Sequence, residues 1–553
     1  MSMTLATTWV RRGVAAQFPT KYDVDEEELG RISKMARLQL EDAQEDLNAA
    51  QSKDIDSQGS DDDSGGASLS KETKTSSASN QNLAEDDELR EYNLDDYDND
   101  DAPEANGEKF AMFGNVRSLA YHAPGEDDPY LVLPAGEQDS DDERDELQIL
   151  PTDNLILAAK VEDEVAHLEV FVYEDDNDNL YVHHDIMLPA VPLCVEWLDL
   201  PVGQDTGKRR NGSFVAVGTM GPEIEVWDLD TIDSMYPNAI LGQEPSEDVA
   251  AEANGEGSSK KKSKKKKKKP KANDEYHVDA VLALAANRQH RNLLASASAD
   301  KTVKLWDLNT GKCAKSYTMH TDKVCALDWH PTESTVLLSG SYDRTVIATD
   351  MRAPDAEAPK WVVAADVERV RWDIHDPNYF YVTTEAGTVQ YFDVRDPPKS
   401  HDKPTKAIWT LQAHDSAVSA FDINPAVPGF LVTGSEDKRV KLWDVQNNKP
   451  NMVVSRNVEV GRIFSAQFAP DQEVAFRLAV AGSKGQLQVW DTSTNANVRS
   501  VFGGRVSLPE DRGRGERMVG IAQSDSESDD EEEAGGVEDG AGPGDGWESM
   551  DED

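Results

Sequence analysis

Cysteine is scarce in this chain: Cys194, Cys313 and Cys325 are the only three in 553 residues. That excludes a disulfide framework, and the absence of a CxxC pair removes the usual zinc-ligand spacing. A reducing compartment is the simple expectation. No run approaches the roughly 18 uninterrupted apolar residues of a membrane-spanning helix, and the opening residues lack the apolar core of a secretory signal. The sequence therefore reads as a soluble intracellular protein with no membrane partner. A phosphate-cradling glycine loop, a metal-ligand cluster and a nucleophile motif are also missing. Neither a cofactor, a small-molecule substrate nor enzymatic turnover is expected.

Positive charge is short as well: 56 Lys and Arg face 106 Asp and Glu, a formal net charge of −50. The imbalance is concentrated at the ends. Residues 1–145 carry 36 acidic and 13 basic side chains, and the segment from Ser524 onward adds 14 acidic ones with no Lys or Arg. The middle is close to neutral. Overall acidity does not exclude nucleic acid, because binding follows local potential.

What the middle holds is a repeat. ADKTVKLWDL (299–308), EDKRVKLWDV (436–445) and SKGQLQVWDT (483–492) are copies of one unit. MGPEIEVWDL (220–229), EAGTVQYFDV (385–394), YDRTVIATDM (342–351) and AHLEVFVYED (166–175) are looser ones. The Trp-equivalent positions are Tyr173, Trp227, Trp306, Thr349, Phe392, Trp443 and Trp490, spaced by 54, 79, 43, 43, 51 and 47 residues. One propeller blade takes about 40–45 residues. Removing a low-complexity stretch of 34 residues at 242–275 brings the outlier of 79 to 45.

A second register runs beside the first. His277, His320 and His414 each precede an Asp (Asp300, Asp343, Asp437) by 23 residues, and each Asp precedes the Trp position by six. Short apolar or alternating runs follow each histidine, the pattern of a strand. An Asp in a tight turn can orient such a histidine, and a strand Ser or Thr can link it to the indole N–H, which only donates. His277, Ser296, Asp300 and Trp306 form one candidate set, and His414, Thr433, Asp437 and Trp443 a second. His320, Ser339 and Asp343 form a third that ends on Thr349 and should be weaker. Three copies at repeat spacing indicate structure, not a hydrolase triad.

These features resemble the WD40 repeat family over roughly residues 146–505. The resemblance implies an all-β chain, a seven-bladed WD40 β-propeller of four-stranded antiparallel blades around a channel. Blades one, two and five lack the His and Asp of the pattern. Ring closure is open at this stage: NVRSVFG (497–503) as a last strand, or the stretch Phe110–Leu119, are the two candidates. The remaining organisation reads as a docking segment with one helix (1–50), an acidic disordered linker (51–107), a lead-in (108–145) and a basic, then acidic, disordered tail (506–553).

The attachments carry the functional expectations. Leu29, Ile32, Ala36, Leu40, Ala43 and Leu47 fall at steps of three and four, one apolar stripe of a helix with acids in its first turn. Ahead of it Trp9, Val10, Phe18 and Tyr22 are bulky apolar groups. Trp9, Phe18, Leu29, Ile32, Leu40 and Leu47 are thus expected to dock on a partner, or on the propeller's own flank. Residues 51–107 are too poor in large apolar groups to offset ordering entropy.

Lys260, Lys261, Lys262, Lys264, Lys265, Lys266, Lys267, Lys268, Lys269 and Lys271 place ten lysines in twelve positions inside the insertion 242–275, assigned to blade three. Such a tract suits a nuclear address or RNA phosphate. RGRGER (512–517) is a second basic patch. Ser524, Ser526 and Ser528 stand before acidic residues, as do Ser60 and Ser140, the surroundings acidophilic kinases accept; phosphate there adds negative charge. The tail suits basic partners: ribosomal proteins, histones, or the chain's own lysine tract.

The opening TTWVRRGVAAQFPTKYDVDEEELGRISKMARLQLEDA (7–43), then an acidic linker, a propeller with a basic insertion and an acidic serine tail, resembles the periodic tryptophan protein 1 family along nearly the whole chain. The resemblance implies a scaffold of the nucleus and nucleolus in rRNA processing and large-subunit assembly, with pre-ribosomal proteins and pre-rRNA as partners. Two other readings stand beside it. One is a chromatin protein that binds histones. The other is a substrate receptor of a cullin-4 type ubiquitin ligase, through Arg352 in TDMR (349–352) and Arg395 in FDVR (392–395); two plain surface arginines are the bland alternative.

Overall fold

Each repeat copy folds as the third strand of a four-stranded antiparallel sheet. Tyr173, Trp227, Trp306, Thr349, Phe392, Trp443 and Trp490 all lie on those third strands. The computed structural model describes residues 2–22, 147–203, 211–243, 273–353, 356–398, 403–506 and 515–520. In it, seven such sheets form the blades of a β-propeller. Their inner strands (Ser2–Val10, Pro192–Leu198, Val281–Ala286, Val324–Trp329, Val367–Trp372, Ala420–Ile423 and Ile463–Phe468) line one channel of about 360 Å³. Up-and-down connectivity gives the ring two faces. The lower face carries the turns from first to second and third to fourth strands. The upper carries the second-to-third turns and the crossovers between blades.

The main departure from the sequence reading is the first blade. Its inner strand is Ser2–Val10, paired antiparallel with Asn154–Glu162 from Ser2↔Glu162 to Val10↔Leu155. The propeller therefore begins at the N-terminus and not at residue 146. Segment 1–50 is not a single docking unit: residues 2–22 belong to the ring, and 23–50 lie outside the described residues. The physical reason is burial. Asn154–Glu162 is apolar on both faces and pairs on both edges, so without Ser2–Val10 its inner edge would face the channel unpaired. From Arg11 the chain follows the lower face, and Thr20–Lys21 pairs in parallel with Thr231–Ile232 of blade two.

Ring closure also differs from both candidates named from sequence. NVRSVFG is not a strand; Ala496–Phe502 is a helix. The Asn495 side chain accepts from the N–H groups of Asn497 and Val498 and caps it. Val498 and Phe502, one helical turn apart, are fully buried, with the Phe502 ring 4.3 Å from Phe430. Blade seven takes Arg517–Gly520 as its outer strand instead, so the described ring ends at 520 and not at 505. Phe110–Leu119 lies outside the described residues.

The inner strands leave their channel-side backbone groups unpaired, and side chains of neighbouring blades cap them. Glu196, Asp328 and Asp422 accept the N–H of Ala286, Trp372 and Phe468 on the following blade, at 3.3, 2.7 and 2.9 Å. The indoles of Trp9, Trp329 and Trp372 donate to the C=O of Gln467, Ala285 and Asp328 on the preceding blade, at 3.0, 2.9 and 3.2 Å. One register thus laces blade to blade. Close approach between neighbouring blades favours glycine: a Cβ at Gly434 would lie 2.5 Å from Ile463 of blade seven, and one at Gly340 2.7 Å from Val367 of blade five.

Candidate interaction surfaces

The three His–Asp sets lie under the upper face and are fully engaged. In blade three, Trp306 Nε1 donates to Ser296 Oγ at 2.8 Å, and the Ser296 hydroxyl donates to His277 Nε2 at 2.6 Å. The ionised Asp300 carboxylate only accepts, so in the neutral ring Nδ1 holds the hydrogen and donates to it at 2.9 Å, leaving Nε2 to accept from Ser296. Blade six repeats this through Trp443, Thr433, His414 and Asp437, at 2.9, 2.8 and 2.7 Å.

In blade four Ser339 and Asp343 hold His320 at 2.8 and 3.2 Å, but Thr349 turns its hydroxyl to Met319 Sδ, so the chain stops short of a third-strand indole. Burial lowers the His277 and His414 pKa values and keeps both rings neutral. Burial opposes charge on Asp300 too, yet hydrogen bonds from His277 and Thr302 outweigh it and pull the carboxyl down to about 2. No open position remains for a reacting atom.

Blades without the pattern use other networks, which sequence spacing did not reveal. In blade five Asp373 accepts the Tyr381 and Tyr391 hydroxyls at 3.2 and 3.0 Å, inside a stack that includes Trp409. In blade two Trp227 donates to Glu225 at 3.1 Å, and burial raises that carboxyl to about 7. At the seam of blades seven and one, Arg477 (3 % exposed) reaches Asp175 at 2.6 Å and Asp491 at 2.7 Å. Arg517, the last residue of RGRGER, is drawn into the same seam with Asp175 and Asp178. It is therefore committed to the fold and not to RNA.

Trp9 is the residue the structure most clearly moves. It is 6 % exposed, set edge-on to Tyr173 at 6.2 Å and bonded to Gln467 across the blade seven seam, while Thr7 bonds Ser465 at 2.7 Å. It cannot dock on a partner while the ring is closed. The sequence signal was present but unread: Thr8-Trp9 occupies the register of Glu196-Trp197, Asp328-Trp329 and Arg371-Trp372 on other inner strands. Phe18 is half-buried in the lower-face run. Leu29, Ile32, Leu40 and Leu47 lie outside the described residues, as do the ten lysines and Ser60, Ser140, Ser524, Ser526 and Ser528. The lysine tract's attachment points are nonetheless defined. It leaves after the outer strand of blade two (Ala239–Leu241) and returns before the inner strand of blade three, on the upper face, so it is a crossover insertion and not one within blade three.

Arg352 and Arg395 both reach the lower face on adjacent blades and are largely exposed. Each is closed on its own aspartate, Asp350 or Asp393, at 2.7 Å. Arg395 also donates to the Tyr379 hydroxyl at 2.8 Å.

Comparison with known proteins agrees with the ring and extends beyond it. The family "WD domain, G-beta repeat" matches residues 269–307, 311–348 and 405–444. An uncharacterised WD repeat-containing protein of Schizosaccharomyces pombe is 47 % identical, over 96 % of this chain and 97 % of its own length. Periodic tryptophan protein 1 of Saccharomyces cerevisiae is 38 % identical over 90 % of both chains. The Drosophila melanogaster homolog is 30 % identical over 90 % of this chain and 96 % of its own. With both named relatives aligned along nearly their whole length, flanks included, the chain belongs to the periodic tryptophan protein 1 family.

Proposed function

We propose that this WD-repeat scaffold works in the nucleolus as a non-catalytic assembly factor for the large ribosomal subunit, binding pre-ribosomal proteins and pre-rRNA. The observation that carries the reading is the disposition of polar chemistry. The three His–Asp sets are consumed in buried struts inside single blades, which leaves the rims as the working surface. The ring supplies a rigid platform, and the insertion that carries the ten lysines is anchored at both ends on its upper face, a composition suited to neutralising phosphate. Full-length kinship with the periodic tryptophan protein 1 family supports the ribosomal assignment through the resemblance already described. Nuclear and nucleolar residence belongs to the same proposal.

The test is sucrose-gradient sedimentation of the tagged protein with RNA sequencing of its peak. The reading requires co-migration with large-subunit precursors and a shift to the top of the gradient after ribonuclease. A monomer-sized peak with no enriched precursor RNA refutes it. Binding of an isolated histone peptide would then favour the chromatin reading. Capture of a cullin-4 adaptor, lost on Arg352→Ala with Arg395→Ala, would favour the ligase reading.

A further inference from the structure

Four exposed basic residues gather on the upper face of blades six and seven. Lys438 and Arg439 sit in the second-to-third turn of blade six, Arg462 in the crossover into blade seven, and Lys484 in the second-to-third turn of blade seven; all four are exposed. Backbone hydrogen bonds join these loops. Ser483 N–H donates to Arg462 C=O at 2.9 Å, Arg462 N–H to Ser483 Oγ at 3.0 Å, Lys484 N–H to Val460 C=O at 3.1 Å and Ile463 N–H to Ser435 C=O at 3.1 Å. None of the four side chains has an ion pair among the described residues, whereas Lys301 and Arg344 on blades three and four are held by Asp322 and Asp366. Two exposed carboxylates, Glu436 and Glu459, share the loops, and Asp437 is committed to His414. The patch is net positive.

The chain leaves the ring beside it. The last strand ends at Gly520 opposite Gln488, on the hairpin that Lys484 caps. Beyond it lies Ser524–Glu533, in which Asp525, Glu527 and all five residues from Asp529 to Glu533 are acidic. Thirteen residues from Gly520 reach up to about 45 Å, enough to cross two blade tops. On the opposite flank the blade one turn exposes Glu162, Asp163 and Glu164, with Lys160 already paired to Glu162 at 3.2 Å, so among the described residues that flank offers the tail no free amine and the patch sets the direction.

We propose that the acidic segment Ser524–Glu533 docks on the patch Lys438, Arg439, Arg462 and Lys484, and so screens it from other polyanions in the free protein. Tethering supplies the high local concentration that individually weak surface pairs need.

Zero-length carbodiimide coupling of the full chain, read by mass spectrometry, tests this, because only carboxylates in contact with an amine react. The expected products join Asp525–Glu533 to Lys438 or Lys484. Arg439→Glu with Arg462→Glu leaves both amines in place and should cut the yield about tenfold, as should raising salt from about 0.05 to 0.5 M. An unchanged melting temperature verifies that the variant folds. Coupling chiefly to Lys260–Lys271, or a yield indifferent to the two arginines, overturns the proposal. So does a double variant that weakens oligouridylate binding while tail coupling stays intact, since the patch would then hold nucleic acid.

Discussion

Trp9 offers the sharpest check on the first blade. A docking segment and an inner strand make opposite forecasts for the same substitution. As an inner-strand residue, Trp9 loses on mutation to Ala nearly all of a roughly 200 Å² apolar surface, worth about 5 kcal/mol at about 25 cal/mol per Å². Truncations of this type cost about 3–5 kcal/mol. The indole hydrogen bond to Gln467 at 3.0 Å contributes about 1 kcal/mol of that. Trp9→Phe should therefore cost about 1–2 kcal/mol, keeping the ring against Tyr173 and leaving the Gln467 carbonyl to channel water. Deleting 2–22 removes the whole ladder to Asn154–Glu162 and opens the ring, so the truncated chain should aggregate or melt without cooperativity. The assay is chemical denaturation followed by tryptophan fluorescence, with size exclusion for the deletion. If Trp9→Ala unfolds within about 0.5 kcal/mol of the parent, the scale of a surface change, or if the truncated chain stays monomeric and cooperative, the assignment is refuted.

Three further predictions rest on buried polar groups. Ser296→Ala strands Trp306 Nε1 and His277 Nε2 without partners and should cost about 2–4 kcal/mol by denaturation midpoint. Val480→Thr in blade seven should gain about 1 kcal/mol, since Val480 stands at the Ser296 register and Trp490 Nε1 is buried with no acceptor; opposite signs on both counts would sink the relay argument. Glu225 is a carboxyl whose folded pKa, about 7, lies above its ordinary 4.5, so its stabilising contribution is full below pH 4.5 and lost as pH rises through 7. Glu225→Gln should therefore raise stability by about 3 kcal/mol at pH 8.5 and hardly at all at pH 4.5. Equal effects at both pH values would contradict it.

The repeat itself, its seven copies and the three His–Ser/Thr–Asp sets were legible because they are local. Each depends on residues a fixed number of positions apart within one sheet, where hydrogen bonds recur at the same spacing. The networks of blades two and five escaped because Glu225 and Asp373 do the same work from other positions, so no interval repeats. The helix at 496–502 escaped because a short apolar run fits either period until a cap such as Asn495 is seen to engage.

The sequence by itself determined that this chain is a seven-bladed ring, since that follows from counting one pattern. Only the tertiary structure decided where the ring begins and ends. Ser2–Val10 reaches its partner Asn154–Glu162 across more than 140 residues, a separation that no periodicity encodes. The pairing is fixed instead by an unpaired strand edge and a buried seam that only that strand can fill. The same holds for the upper-face patch. Lys438, Arg462 and Lys484 are scattered basic residues in the sequence, and they become one surface only because backbone bonds draw three loops together.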